Sequence, residues 1–149
     1  MDRRSRPAPL EYRRSFPPEP EACGDARQRL APILQAWELS AQRSDDVLLV
    51  MSELVTNAIE HARTPLVLLV AFSGTTVRIE VSDGSQVAPQ LQPFDSAAPR
   101  GRGLQFVDAL ARAWSWSTDE NGKTVWAEMA AVDPYGQPSG DRADHSKVP

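Results

Sequence analysis

The chain of 149 residues has little cysteine, no long apolar run and no excess of positive charge, and each shortage removes a class of function. One cysteine, Cys23, can form neither an internal disulfide nor a Cys-x-x-Cys pair for zinc, so a disulfide-stapled fold and a thiolate metal site are both excluded. Cys23 reads as a small, structural apolar residue. The longest apolar stretch, Pro65 to Phe72, is far short of the roughly 20 residues that cross a bilayer. The N-terminus starts with Asp2, Arg3 and Arg4 and lacks an apolar core after them. These features predict a soluble cytoplasmic protein without a membrane partner. The net charge is -4, and its distribution is uneven: residues 1–14 come to +3, residues 15–131 to -6 and residues 132–149 to -1. An acidic body lacks the basic face that duplex nucleic acid requires, so no direct nucleic-acid contact is expected and the arginine-rich start reads as a solvated arm.

What is present fits one globular domain. Hydrophobic residues make up 41% and charged residues 24%, enough for a single core. Residues 1–9, and residues 132–149 with their prolines and glycines, read as disordered ends around a working domain at 10–131. Leu10–Phe16 alternates like a strand. Glu21–Trp37 has helical leucine spacing, with Pro32 expected to kink it or split it in two. A second helix is expected from an N-cap at Ser44, with Asp45 and Asp46 in its first turn, to about Ala62. Leu66–Phe72 and Val77–Ser82 flank Ser73-Gly74-Thr75 as a hairpin. A loop at Ser85–Arg102 is of a length that inside compact domains belongs to binding loops and lids. Leu104–Ala113 returns to helical spacing. Trp114–Thr118 and Lys123–Ala131 pair across Asn121-Gly122. This order predicts an α+β two-layer sandwich, with helices on one face of a mixed, mainly antiparallel sheet.

Three segments carry candidate chemistry. Ser52-Glu53-Leu54-Val55-Thr56-Asn57-Ala58-Ile59-Glu60-His61 puts Glu53, Asn57 and His61 on one stripe of an otherwise apolar helix. A carboxylate and a carboxamide are hard oxygen donors of the kind magnesium takes, and a carboxylate can polarise a hydroxyl. The same stripe also suits an ordinary solvent face. Val81-Ser82-Asp83-Gly84 ends a buried strand with an acid able to accept from an exocyclic amine such as adenine's, and a glycine that lets a flat ring approach. An Asp-Gly turn is the plainer alternative. Pro99-Arg100-Gly101-Arg102-Gly103-Leu104 precedes a helix, so Gly101 and Gly103 would expose amides to a phosphate beside Arg100 and Arg102; a linker followed by a helix cap is the alternative.

In order and spacing, these segments resemble the three boxes of the GHKL, or Bergerat-fold, ATP-binding domains shared by histidine kinases and DNA gyrase B. The likeness is strongest to the small bacterial anti-sigma factors that phosphorylate a serine of an anti-anti-sigma partner. Ser52–His61 resembles the N box, Val81–Gly84 the first glycine box, Gly101–Leu104 the second, and Gly122–Trp126 the closing strand. The resemblance covers about 10–131. It implies ATP and magnesium as cofactors, with Asn57 on the metal, Glu53 as general base, Asp83 and Gly84 at the adenine, Gly101, Arg102, Gly103 and Leu104 at the phosphates, and Thr124 at the adenine edge. It also implies a sigma factor and an anti-anti-sigma protein as partners, and a homodimer. His61 reads as a packed or hydrogen-bonded helix residue. Three features depart from the pattern. Asp83-Gly84-Ser85-Gln86-Val87 lacks the spaced glycines of Asp-x-Gly-x-Gly, Glu60 stands where some relatives carry lysine, and no phosphoacceptor-histidine helix lies upstream. The last departure points to a stand-alone regulator rather than the catalytic end of a two-component kinase, and the altered first glycine box favours a second function, a nucleotide-sensing protein-binding module with little or no turnover.

Overall fold

A computed structural model describes residues 10–89 and 103–132. The expectations for the two ends and for most of the long loop, including Gly101 and Arg102, lie outside the described residues.

The elements run β1 (Leu10–Phe16), α1 (Glu21–Ala36), α2 (Ala41–Asn57), a π-helical turn (Ala58–Ala62), β2 (Leu66–Phe72), β3 (Thr76–Asp83), α3 (Gly103–Leu110), β4 (Ala113–Asp119) and β5 (Gly122–Ala130). The five strands lie in the order β1-β2-β3-β5-β4, and every neighbouring pair is antiparallel. The sheet of the α+β sandwich is thus antiparallel throughout its described strands, not mixed. β3 and β5 form its centre. Strict alternation along them sends Val77, Ile79, Val81, Val125, Ala127 and Met129 into the core and leaves the intervening residues on the other face. The helices close that core with Ala26, Leu30 and Leu34 from α1, Val50, Met51 and Leu54 from α2, and Leu104 and Val107 from α3.

Two local expectations are corrected. Of the two outcomes expected at Pro32, a kink or a split, the split does not occur, and α1 runs as one 16-residue helix. Pro32 and Gln28, the residue four before it, are both exposed, so water can satisfy the carbonyl that proline leaves unbonded while Leu30 and Leu34 hold the helix down. The N-cap of α2 is Ser40, not Ser44: Ser40 is extended (φ -63, ψ 161) and its Oγ accepts from the Arg43 N–H at 3.1 Å. Asp45 and Asp46 accordingly fall beyond the first turn. At the other end, α2 gives way after Asn57 to the π-helical turn, which Arg63 terminates in the left-handed region (φ 58), its N–H bonded to the Ala58 carbonyl at 3.1 Å. The β4–β5 hairpin turns on Glu120 and Asn121, with Gly122 already paired to Asp119 in the ladder.

Candidate functional site

The site is assembled where the end of α2, the end of β3 and the start of β5 meet. Glu53 and Asn57, one turn apart on α2, are both partly buried, and Asn57 stands at the point where the helix widens into the π-helical turn. Such single wide turns are frequent at functional positions. His61, in that turn, is exposed and not packed; it borders an open cavity of about 630 Å³ with Pro18, Pro20, Ile59, Glu60 and Arg63. Ser52 of the same motif has a structural role. Its Oγ donates to the Leu48 carbonyl and receives the Arg27 guanidinium, both at 2.7 Å, so α1 is pinned to α2 beside Glu53. Cys23 joins that contact, accepting from the Thr56 hydroxyl at 3.7 Å.

The chain between the π-helical turn and β2 is tied to the end of β3. The Gly84 N–H donates to Thr64 Oγ1 at 2.7 Å, and a Cβ on Gly84 would stand 3.3 Å from the Thr64 side chain. A larger residue at this position would require the Thr64 side chain to give by a few tenths of an ångström. One hydrogen bond therefore links the segment after the Asn57 helix to the Asp83-Gly84 pair, two motifs separated by more than 20 positions in the sequence.

Asp83 is the best-fixed group of the site. Its Oδ1 accepts from the Ser85 N–H at 2.9 Å, and its Oδ2 lies 2.6 Å from Lys123 Nζ. The side chains of Lys123 and Asp83 are only 3% and 1% exposed. They are direct partners in the β3–β5 register, so the ladder itself brings them together on the helix-covered face. Gly122, at φ +148, packs so closely on the Asp83 carbonyl that a Cβ there would overlap it. Sequence reasoning missed Lys123. The signal was available in the alternation of β5, which puts Lys123 in phase with Val125, Ala127 and Met129.

That alternation also places Thr124. It pairs with Ser82, its Oγ1 2.8 Å from Ser82 Oγ, and both are on the face away from Asp83. The structure thus brings Lys123, and not Thr124, to the acid at the end of β3. Leu104 is 2% exposed, with its side chain in the core beside Val107 and so withdrawn from any ligand. Gly103 begins α3, which packs against α2. The start of the long loop is held as well: the Gln86 side-chain amide donates to the Asp119 carbonyl, and the Val87 N–H to Ser85 Oγ at 3.1 Å.

Two ends of the site differ in what they can hold. Glu53 and Asn57 offer oxygen donors of the type magnesium accepts, and among the described residues no cluster of three acidic, histidine or cysteine side chains forms a metal cage. That donor set fits a magnesium ion that keeps waters and phosphate oxygens as its other ligands. The Asp83 end has the acceptor an adenine amino group needs, but in this structure an ammonium is already bound to it. Among the described residues no helix is long and apolar enough to cross a membrane.

Comparison with known proteins accords with this geometry. A solved structure of the RsbU and RsbW domains of Rv1364c from Mycobacterium tuberculosis superimposes with a TM-score of 0.63 over 80% of this chain at 20% identity. That likeness concerns the fold, and the match covers 32% of the chain in that structure. No curated protein matches in sequence. Residues 16–129, from the end of β1 to the end of β5, match the histidine kinase-like ATPase domain, and with the ordered motifs above this establishes that the chain belongs to that family.

Proposed function

We propose that the chain is an ATP-binding regulator of the anti-sigma type, a magnesium-dependent protein serine kinase that works in the cytoplasm, binds a sigma factor and phosphorylates an anti-anti-sigma partner. The observation that supports it most is the Thr64–Gly84 hydrogen bond of 2.7 Å, which ties the segment following the Asn57 helix to the end of the Asp83 strand. Magnesium bound with ATP supplies charge neutralisation at the phosphates. The remaining roles fall to this chain. Asn57 would present its carboxamide oxygen to the metal, Glu53 would accept the proton of the partner's serine hydroxyl, and the backbone at the start of α3 would face phosphate. In phosphoryl transfer, positioning and electrostatics supply nearly all of the acceleration, so one general base and a fixed anion site form a sufficient set.

A titration with ATP and magnesium, followed by incubation with labelled ATP and candidate anti-anti-sigma proteins, tests the reading. Phosphoserine should appear on a partner, and Glu53→Ala should lower its formation by about 10²–10⁴-fold while ATP affinity holds. Equal loss of ATP affinity in Glu53→Ala and Asn57→Ala would make Glu53 a ligand and remove it as the base. ATP binding without any label transfer would favour the second reading, a nucleotide-sensing module with little turnover. Two observations speak for that module: the missing glycines after Gly84, and the engagement of Asp83 by Lys123.

A further inference from the structure

The family reading needs a carboxylate open to the base at the end of β3, whereas the one present there has its Oδ2 held by Lys123 Nζ at 2.6 Å in a nearly sealed setting. An ammonium and an exocyclic amine are both N–H donors, so they compete for the same acceptor. We propose that Lys123 is a built-in competitor for the adenine amino group, and that the nucleotide gains Asp83 only when the Lys123–Asp83 pair opens. The proposal rests on the ATP-binding reading above.

Two sets of contacts decide which partner moves. Asp83 is locked: its carbonyl lies under Gly122, its Oδ1 takes the Ser85 N–H, and the next residue, Gly84, is bonded to Thr64. Among the described residues, the polar partner of Lys123 is the Asp83 carboxylate, which it meets at the end of a long flexible stem. Opening therefore requires Lys123 to swing away, while Asp83 keeps its aim. The cost of taking a buried ammonium off its counter-ion is subtracted from nucleotide affinity. A low resting affinity follows, and any change that removes the ammonium raises it.

Calorimetry with ATP and magnesium on the wild type, Lys123→Ala and Asp83→Asn/Lys123→Ala tests this. Lys123→Ala should bind ATP at least tenfold more tightly than the wild type, and the double variant should lose that gain. A second measurement needs no substitution. The chain has only two lysines, Lys123 and Lys147, so ¹⁵N-lysine labelling gives two ammonium signals. In the wild type at saturating ATP and magnesium, the Lys123 signal should move and lose its protection from solvent exchange. Lys123→Ala binding no more tightly than the wild type, or a Lys123 signal unchanged at saturation, overturns the proposal and leaves the ATP-binding reading standing. Absence of ATP binding in the wild type and in folded Lys123→Ala alike overturns both.

Discussion

The two faces of the central strands β3 and β5 treat charge in opposite ways. On the face away from the helices, Arg78 bonds Glu80 at 2.7 Å and Glu128 at 2.9 Å and lies 4.3 Å over the Trp126 ring, with its side chain 34% exposed. Burial pulls the guanidinium pKa down, and the hydrogen bonds and negative charges of Glu80 and Glu128 together outweigh it, leaving the pKa above its ordinary value. On the helix face, Lys123 and Asp83 meet with almost no exposure. The outer cluster is reached by water and salt, where each pair contributes about 0–1 kcal/mol. The inner pair sits where desolvation consumes most of the attraction, and apolar residues of like size would serve stability as well or better. Stability is therefore a weak reason for charges at this point of the core, and chemistry at the end of β3 is a stronger one.

Substitutions at each face break this comparison in graded ways. Gly122→Ala should have the largest effect, because it adds a Cβ against the Asp83 carbonyl at a φ of +148 that side chains rarely adopt. We expect a chain that fails to fold or melts far below the wild type, as thermal denaturation followed by circular dichroism will show. Lys123→Met comes next. It strands a buried carboxylate, which should cost about 3–5 kcal/mol in urea unfolding, and Asp83→Asn/Lys123→Met should recover much of that loss. Additive losses in the double variant would mean that the two groups do not act as a pair. On the outer face, Arg78→Ala should cost only about 1–2 kcal/mol, from its exposed ion pairs and its contact with Trp126, and added salt should shrink the difference. A loss as large as that of Lys123→Met would erase the contrast between the faces. The smallest effect is expected away from both faces: Ser40→Ala removes the cap of α2 at a cost of about 1 kcal/mol, whereas Ser44→Ala should leave unfolding unchanged within error.

Much of this architecture is legible in the sequence because it is local. β1 has the predicted bounds, and the β2–β3 hairpin turns at Ser73-Gly74-Thr75, where Gly74 takes φ +102. Glu53 and Asn57 fall on one side of α2 because the helical period is fixed. What the sequence hid depends on tertiary partners. Pro32 reads as a helix breaker until Leu30 and Leu34 are seen fully buried on either side of it. Ser40 and Ser44 are both good caps, and only the extended backbone at Ser40 decides between them. The Asp83–Lys123 pair joins residues 40 positions apart, and it required the β3–β5 register to be known. The resemblance points to Thr124, whose hydroxyl meets Ser82 on the face away from Asp83, while alternation along β5 brings Lys123 to that acid.

If the carboxylate at the end of β3 meets the nucleotide base under the control of Lys123, a crystal structure of the protein with ATP and magnesium should show the adenine amino group on Asp83, with Lys123 Nζ well beyond hydrogen-bond distance of the carboxylate. Nucleotide bound elsewhere, with the 2.6 Å ion pair intact, would contradict that assignment.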